Sequence, residues 1–104
     1  MKLKFPKTVT IGSYTFNVKQ DKKEAGASFA FIDRELKIGT KHLEKDSVSV
    51  FNLICHELME ISCVITSTRY DDMSVSNNYK FFMDHKEFEN NINIFSKAVS
   101  EFIV

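Results

Sequence analysis

From Thr8 to Val18 apolar and polar residues alternate with a period of two. Thr8-Val9-Thr10-Ile11 and Tyr14-Thr15-Phe16-Asn17-Val18 flank Gly12-Ser13, which predicts a β-hairpin closed by a two-residue turn, with Pro6 just ahead of its first strand. The charged run from Lys19 to Glu24, followed by Ala25-Gly26, offers nothing to bury and reads as a solvated loop. Ser28 to Ile32 and Glu35 to Ile38 are two further strands, with Asp33-Arg34 at the turn between them. The period then changes. Phe51, Ile54, Leu58, Ile61 and Ile65 recur at helical spacing while Val50, Leu53 and Val64 widen the stripe, so the segment from Val48 onward is a central helix, apolar around much of its circumference. Asp46 or Ser47 supplies its start, and it runs to about Thr66.

The polar stretch from Thr66 to Asn78, with only Met73 and Val75 apolar, reads as a loop and a candidate rim for a site. Tyr79 to Met83 reads as a short strand. Asp84 followed three residues on by Glu87 is a capping box, opening a last helix whose stripe is Phe88, Ile92, Phe95, Val99 and Phe102. The elements add up to one α+β domain over residues 1–104. A small antiparallel sheet of three or four strands packs on a central helix, with a C-terminal helix beside it.

Composition narrows the function. A chain of 104 residues with 43% apolar residues suffices for a single modest core, and ten Phe with no Trp give that core an aromatic filling. Lys plus Arg and Asp plus Glu number 14 each, so no global positive field draws the chain to phosphate backbones or anionic membranes. Nucleic acid and membrane are therefore not expected partners. Met1-Lys2-Leu3-Lys4 is not followed by an apolar leader, and no stretch is read as the roughly 18 to 20 apolar residues of a membrane span. The expected location is the cytoplasm. Cys55 and Cys63 are eight positions apart on one helix, which separates their backbones by about 12 Å, beyond disulfide reach. Both are read as free thiols, and Cys63 as a buried hydrophobe rather than a ligand.

His56-Glu57-Leu58-Met59-Glu60 is where the chain looks like chemistry. Helical residues four apart have Cβ atoms about 5–6 Å from each other, so His56 and Glu60 can share one cation, with Glu57 one step round, beside the metal. In the H-E-x-x-H zinc motif two helical ligands fix the ion and the intervening Glu is general base toward a bound water; here the second ligand is a carboxylate. Imidazole and carboxylate on so apolar a helix need a cleft, water or a neutralising partner, and a divalent cation serves. A useful site needs a third ligand from elsewhere. His85, at the start of the last helix, is the candidate; His42, in the connection before the central helix, is read as a surface residue. Tyr70, Arg69 and Tyr79 are the only visible candidates for stabilising an oxyanion. Cys55 adjoins His56, but consecutive helical residues diverge by about 100°, which argues against a cysteine nucleophile.

With Val-Thr-Ile-Gly opening the strands, Leu-Lys-Ile ending a later one and Phe-Asn-Leu-Ile-Cys-His-Glu-Leu-Met-Glu on the helix, the chain resembles the minimal zincin-like proteins of phages and prophages. His85-Lys86-Glu87-Phe88 is similar to a later His of some members. The resemblance implies zinc on His56, Glu60 and His85, a catalytic Glu57, a peptide or protein substrate, and the host cytoplasm if phage-encoded. The alternative is a non-catalytic phage accessory or partner-binding protein with a structural or vestigial metal site.

Overall fold

The computed structural model describes residues 1–73 and 78–104. Strands β1 (Thr8–Ile11), β2 (Tyr14–Asp21), β3 (Ala27–Ala30) and β4 (Glu35–Gly39) are followed by helix α1 (Ser47–Ile65), strands β5 (Arg69–Asp71) and β6 (Tyr79–Phe81), and helix α2 (His85–Ser100). The α+β architecture read from the sequence is the one observed.

β1 and β2 form the expected hairpin, with Ile11 opposite Tyr14 and Gly12-Ser13 as the loop. Gly12 has φ +63, a left-handed value open to glycine because it lacks a Cβ. Val9, Ile11 and Phe16 point into the core while the intervening threonines face out.

Beyond the hairpin the sheet is mixed rather than wholly antiparallel, in the order β1-β2-β4-β3. β2 continues through Lys19 and Gln20 to Asp21, where a loop was expected, and its second half pairs in parallel with β4, Asn17 opposite Glu35 and Asp21 opposite Gly39. The cause lies in how β2 and β3 are spaced. The five residues between them reach across two strand spacings, about 9.5 Å, and β4 fills the slot, antiparallel to β3. Gly39 closes it. Its N–H donates to the Gly26 carbonyl at 2.8 Å, and a Cβ there would lie 2.3 Å from that oxygen and 2.5 Å from the Glu24 oxygen.

α1 starts at Asp46, whose carboxylate accepts from the Ser49 N–H at 3.1 Å and hydroxyl at 2.6 Å. It lies on the sheet through Val50, Ile54, Leu58 and Ile61, all buried with Leu36, Ile38 and Phe102 in one core. By length and composition alone α1 is long and apolar enough to cross a membrane, which corrects the sequence reading that no such stretch exists. Its contacts with the sheet and α2 are those of a core helix. At its C-terminus Thr68 N–H donates to Cys63 O at 2.9 Å and Ser67 N–H to Val64 O at 3.2 Å. This is a Schellman ending with Ser67, φ +59, at the left-handed position glycine usually takes.

The chain therefore turns sharply, and β5 runs directly into a two-stranded ribbon with β6. Part of the segment from Thr66 to Asn78 is thus strand, and of the rest residues 74–77, including Val75, lie outside the described residues. α2 begins with the expected capping box, Asp84 accepting from Glu87 N–H at 2.8 Å and the Glu87 carboxylate from Asp84 N–H at 3.0 Å. Its packed face differs from the expected stripe. Phe88 and Ile92 are exposed, and buried Asn91 stands in their place. Asn91 Oδ1 accepts from Ser62 at 2.6 Å and Thr66 at 3.1 Å, and its Nδ2 donates to Glu87 O at 3.1 Å. A polar network, not an apolar seam, joins the two helices at this level.

Candidate metal centre

Against the side of α1 that is not sunk in the core, His56, Glu57 and Glu60 come together. One ring nitrogen of His56, Nδ1, lies 3.2 Å from Glu57 Oε1 and 3.4 Å from Glu60 Oε2. One donor atom from each residue falls within 4.8 Å of the others, so the group could hold a metal ion. The 3.4 Å between His56 Nδ1 and Glu60 Oε2 suits a small cation. Four donors about 2.0–2.1 Å from a tetrahedral zinc stand about 3.3 Å apart.

The three side chains sit at different depths. His56 is 63% exposed, Glu57 9% and Glu60 18%, so the imidazole faces solvent over two carboxylates set into the surface. Burial pushes the Glu57 carboxyl above its usual range; the hydrogen bond and charge of His56 pull the other way without cancelling it, and the Glu60 charge adds to the rise.

Arg69 completes the surroundings. It stands four residues beyond α1, where the Schellman turn sends the chain back past the helix, and its Nε lies 3.4 Å from Glu60 Oε1. Its guanidinium carbon is 3.5 Å from the Tyr79 ring centroid and 5.5 Å from that of Phe29. Sequence reasoning named Arg69 only as an oxyanion candidate and missed its pairing with Glu60.

An open cleft of about 1020 Å³ lies over the group, walled by β3, by β6 and by Arg69. A second, mainly apolar groove of about 530 Å³ runs between α1 and α2 past Met59, Cys63, Met83 and Phe88, and His56 and Glu60 border both. The sequence disclosed no cleft; the β5–β6 ribbon creates one by standing off from the edge strand β3.

Comparison of the chain with protein-family models, with curated proteins and with solved structures gives no match. What the structure carries of the zincin-like resemblance is the H-E-x-x-E group on a helix.

His85 is not brought to this group. It is the first residue of α2, its side chain is 85% exposed, and its Nδ1 faces Glu89 at 3.3 Å, one turn along its own helix. The capping box fixes where α2 begins, and the side chain there points to solvent. His42 is exposed. Cys55 and Cys63 are free thiols, Cys63 buried, and burial raises the Cys55 thiol above its ordinary range, a poor setting for a nucleophile. Tyr70 is exposed and packs edge-on against Phe82.

Proposed function

We propose that this domain binds one divalent cation, zinc by preference, through His56 and Glu60, and that the centre is hydrolytic, with a peptide as substrate and Glu57 as the proton acceptor. The observation that carries this reading is the convergence of the three donor groups within 4.8 Å at the floor of an open cleft. Zinc supplies Lewis acidity and increases the acidity of a bound water. Glu57 is the most buried of the three and has its proton affinity raised by that burial, which suits a group that accepts a proton and gives it up again. Arg69 keeps Glu60 oriented toward His56 by holding its other oxygen. With no third ligand delivered by His85, the cation is held less tightly than in a three-ligand shell.

A second reading has its own support. Arg69 and His56 already compensate the Glu60 carboxylate, as in a charged surface network of a partner-binding protein with a structural or vestigial site. Glu57→Gln separates the two, with zinc affinity and hydrolysis of a mixed peptide library as readouts. The hydrolytic reading expects zinc to stay bound while cleavage falls by about 10²–10⁴. Loss of zinc from this variant makes Glu57 a ligand and removes the general-base role.

A further inference from the structure

The Arg69 side chain is only 15% exposed, yet among the described residues its Nε has no hydrogen-bond partner. Among the described residues its one charged partner is Glu60, at 3.4 Å and without hydrogen-bond alignment. The rings of Tyr79 and Phe29 stack against the guanidinium, and stacking uses the face of that group while its N–H donors lie in the plane of the fork. A largely buried cation with a buried donor left unused is costly unless something completes its shell.

Cation binding sharpens this imbalance. Among the described residues Glu60 is the only carboxylate paired with Arg69, and it is also a proposed metal ligand. A dication on the other oxygen of Glu60 makes one carboxylate serve two positive centres, so Arg69 is left under-compensated beside a second positive charge. An acidic ligand restores the balance, and the planar fork of Arg matches a carboxylate through two parallel hydrogen bonds. Arg69 and the His56, Glu57 and Glu60 group line the same cleft, so a ligand can meet both.

We infer that the cation-loaded cleft takes a peptide bearing a free carboxylate, and that Arg69 is the residue that grips it. This rests on the metal reading of the preceding section and names the substrate class that goes with it.

The test uses the full chain, with and without zinc, and calorimetric titration of N-acetyl-Ala-Ala as the free acid, of the same dipeptide as its C-terminal amide, and of inorganic phosphate. Zinc stoichiometry is measured first, so a chain that takes up no zinc defeats the metal reading, and this inference with it, before any peptide is added. With zinc bound, the acid binds at least about tenfold more tightly than the amide, about 1.4 kcal/mol. Arg69→Gln, compared with wild type at saturating zinc because Arg69 also orients Glu60, abolishes that preference. Arg69→Lys keeps the charge without the fork and retains only part of the preference, which guards against a glutamine variant that folds poorly. In the zinc-free chain, where Glu60 still faces Arg69, acid and amide bind alike. Equal binding of acid and amide to the zinc form, an undiminished preference in Arg69→Gln, or a preference present without zinc overturns the inference. Tighter, Arg69-dependent binding of phosphate than of the acid overturns the assignment to carboxylate.

Discussion

Glu60 Oε1 lies 3.4 Å from Arg69 Nε, while the other oxygen of the same carboxylate lies 3.4 Å from His56 Nδ1. One carboxylate thus links a solvent-facing imidazole on α1 to a stacked guanidinium on β5. Neither link is a strong stabiliser alone, because partly exposed ion pairs contribute about 0–1 kcal/mol. Their consequence is orientation: a side chain that would otherwise sample many rotamers is held facing His56.

Zinc should stabilise the fold through this group. A ligand that binds only the native state adds about 2.7 kcal/mol at one hundred times its dissociation constant. Thermal denaturation of the chelator-treated chain should therefore shift upward on adding zinc, and the shift should be clearly smaller in His56→Ala. Protons compete for the same donors, so the shift shrinks as pH falls. An equal shift in His56→Ala places the ion elsewhere.

Glu57 sets a pH dependence in the metal-free chain. Its carboxyl titrates near 4.5 when unperturbed and higher in the fold, chiefly because of burial. Between those two values the native state holds more protons than the unfolded chain, so stability falls as pH rises through that window and stays lower above it. Glu57→Gln cannot ionise. In chelator, urea denaturation should find it more stable than wild type at pH 7 and similar at about pH 4; a less stable variant at pH 7 contradicts the burial account.

Asn91 holds the two helices together through Ser62, Thr66 and the Glu87 carbonyl. Asn91→Ala leaves the fully buried Ser62 hydroxyl without its closest partner, which should cost about 1–3 kcal/mol. Asn91→Leu should not rescue it, since an isobutyl group cannot accept from Ser62. Recovery of full stability in the leucine variant marks the network as dispensable.

Two backbone positions should respond in opposite senses. Ser67→Gly places the preferred residue at the left-handed ending of α1 and should stabilise by about 0.5–1 kcal/mol. Gly39→Ala puts a Cβ into the Gly26 and Glu24 carbonyls, where backbone must move, and should destabilise by at least about 2 kcal/mol. Denaturant midpoints of the two variants decide both.

Features determined within a few residues were legible in the sequence. Asp46 and Asp84 announce the two helices because a cap is chosen by the N–H groups next to it, and Gly12-Ser13 sets the hairpin register because the loop leaves no slack. The parallel pairing of β2 with β4 was not legible, since both strands alternate acceptably and which neighbours which is decided by the short span between β2 and β3. Phe88 and Ile92 mark the limit of periodicity on α2: apolar spacing identified a helix, but the surface it meets is the polar end of α1, and Asn91 answers that surface. His56, Glu57 and Glu60 were legible because a single helix fixes their spacing. The placements of His85 and Arg69 depend on where a cap begins one helix and a Schellman turn ends another, and no pattern local to either residue carries that.

The most direct test of the metal centre is a zinc titration of the full chain, stripped of metal and followed by competition with a chelator of known affinity. One zinc per chain is expected, weakened at least about tenfold in His56→Ala and in Glu60→Gln and unchanged in His85→Ala. No uptake, or uptake that survives both His56→Ala and Glu60→Gln, contradicts the account.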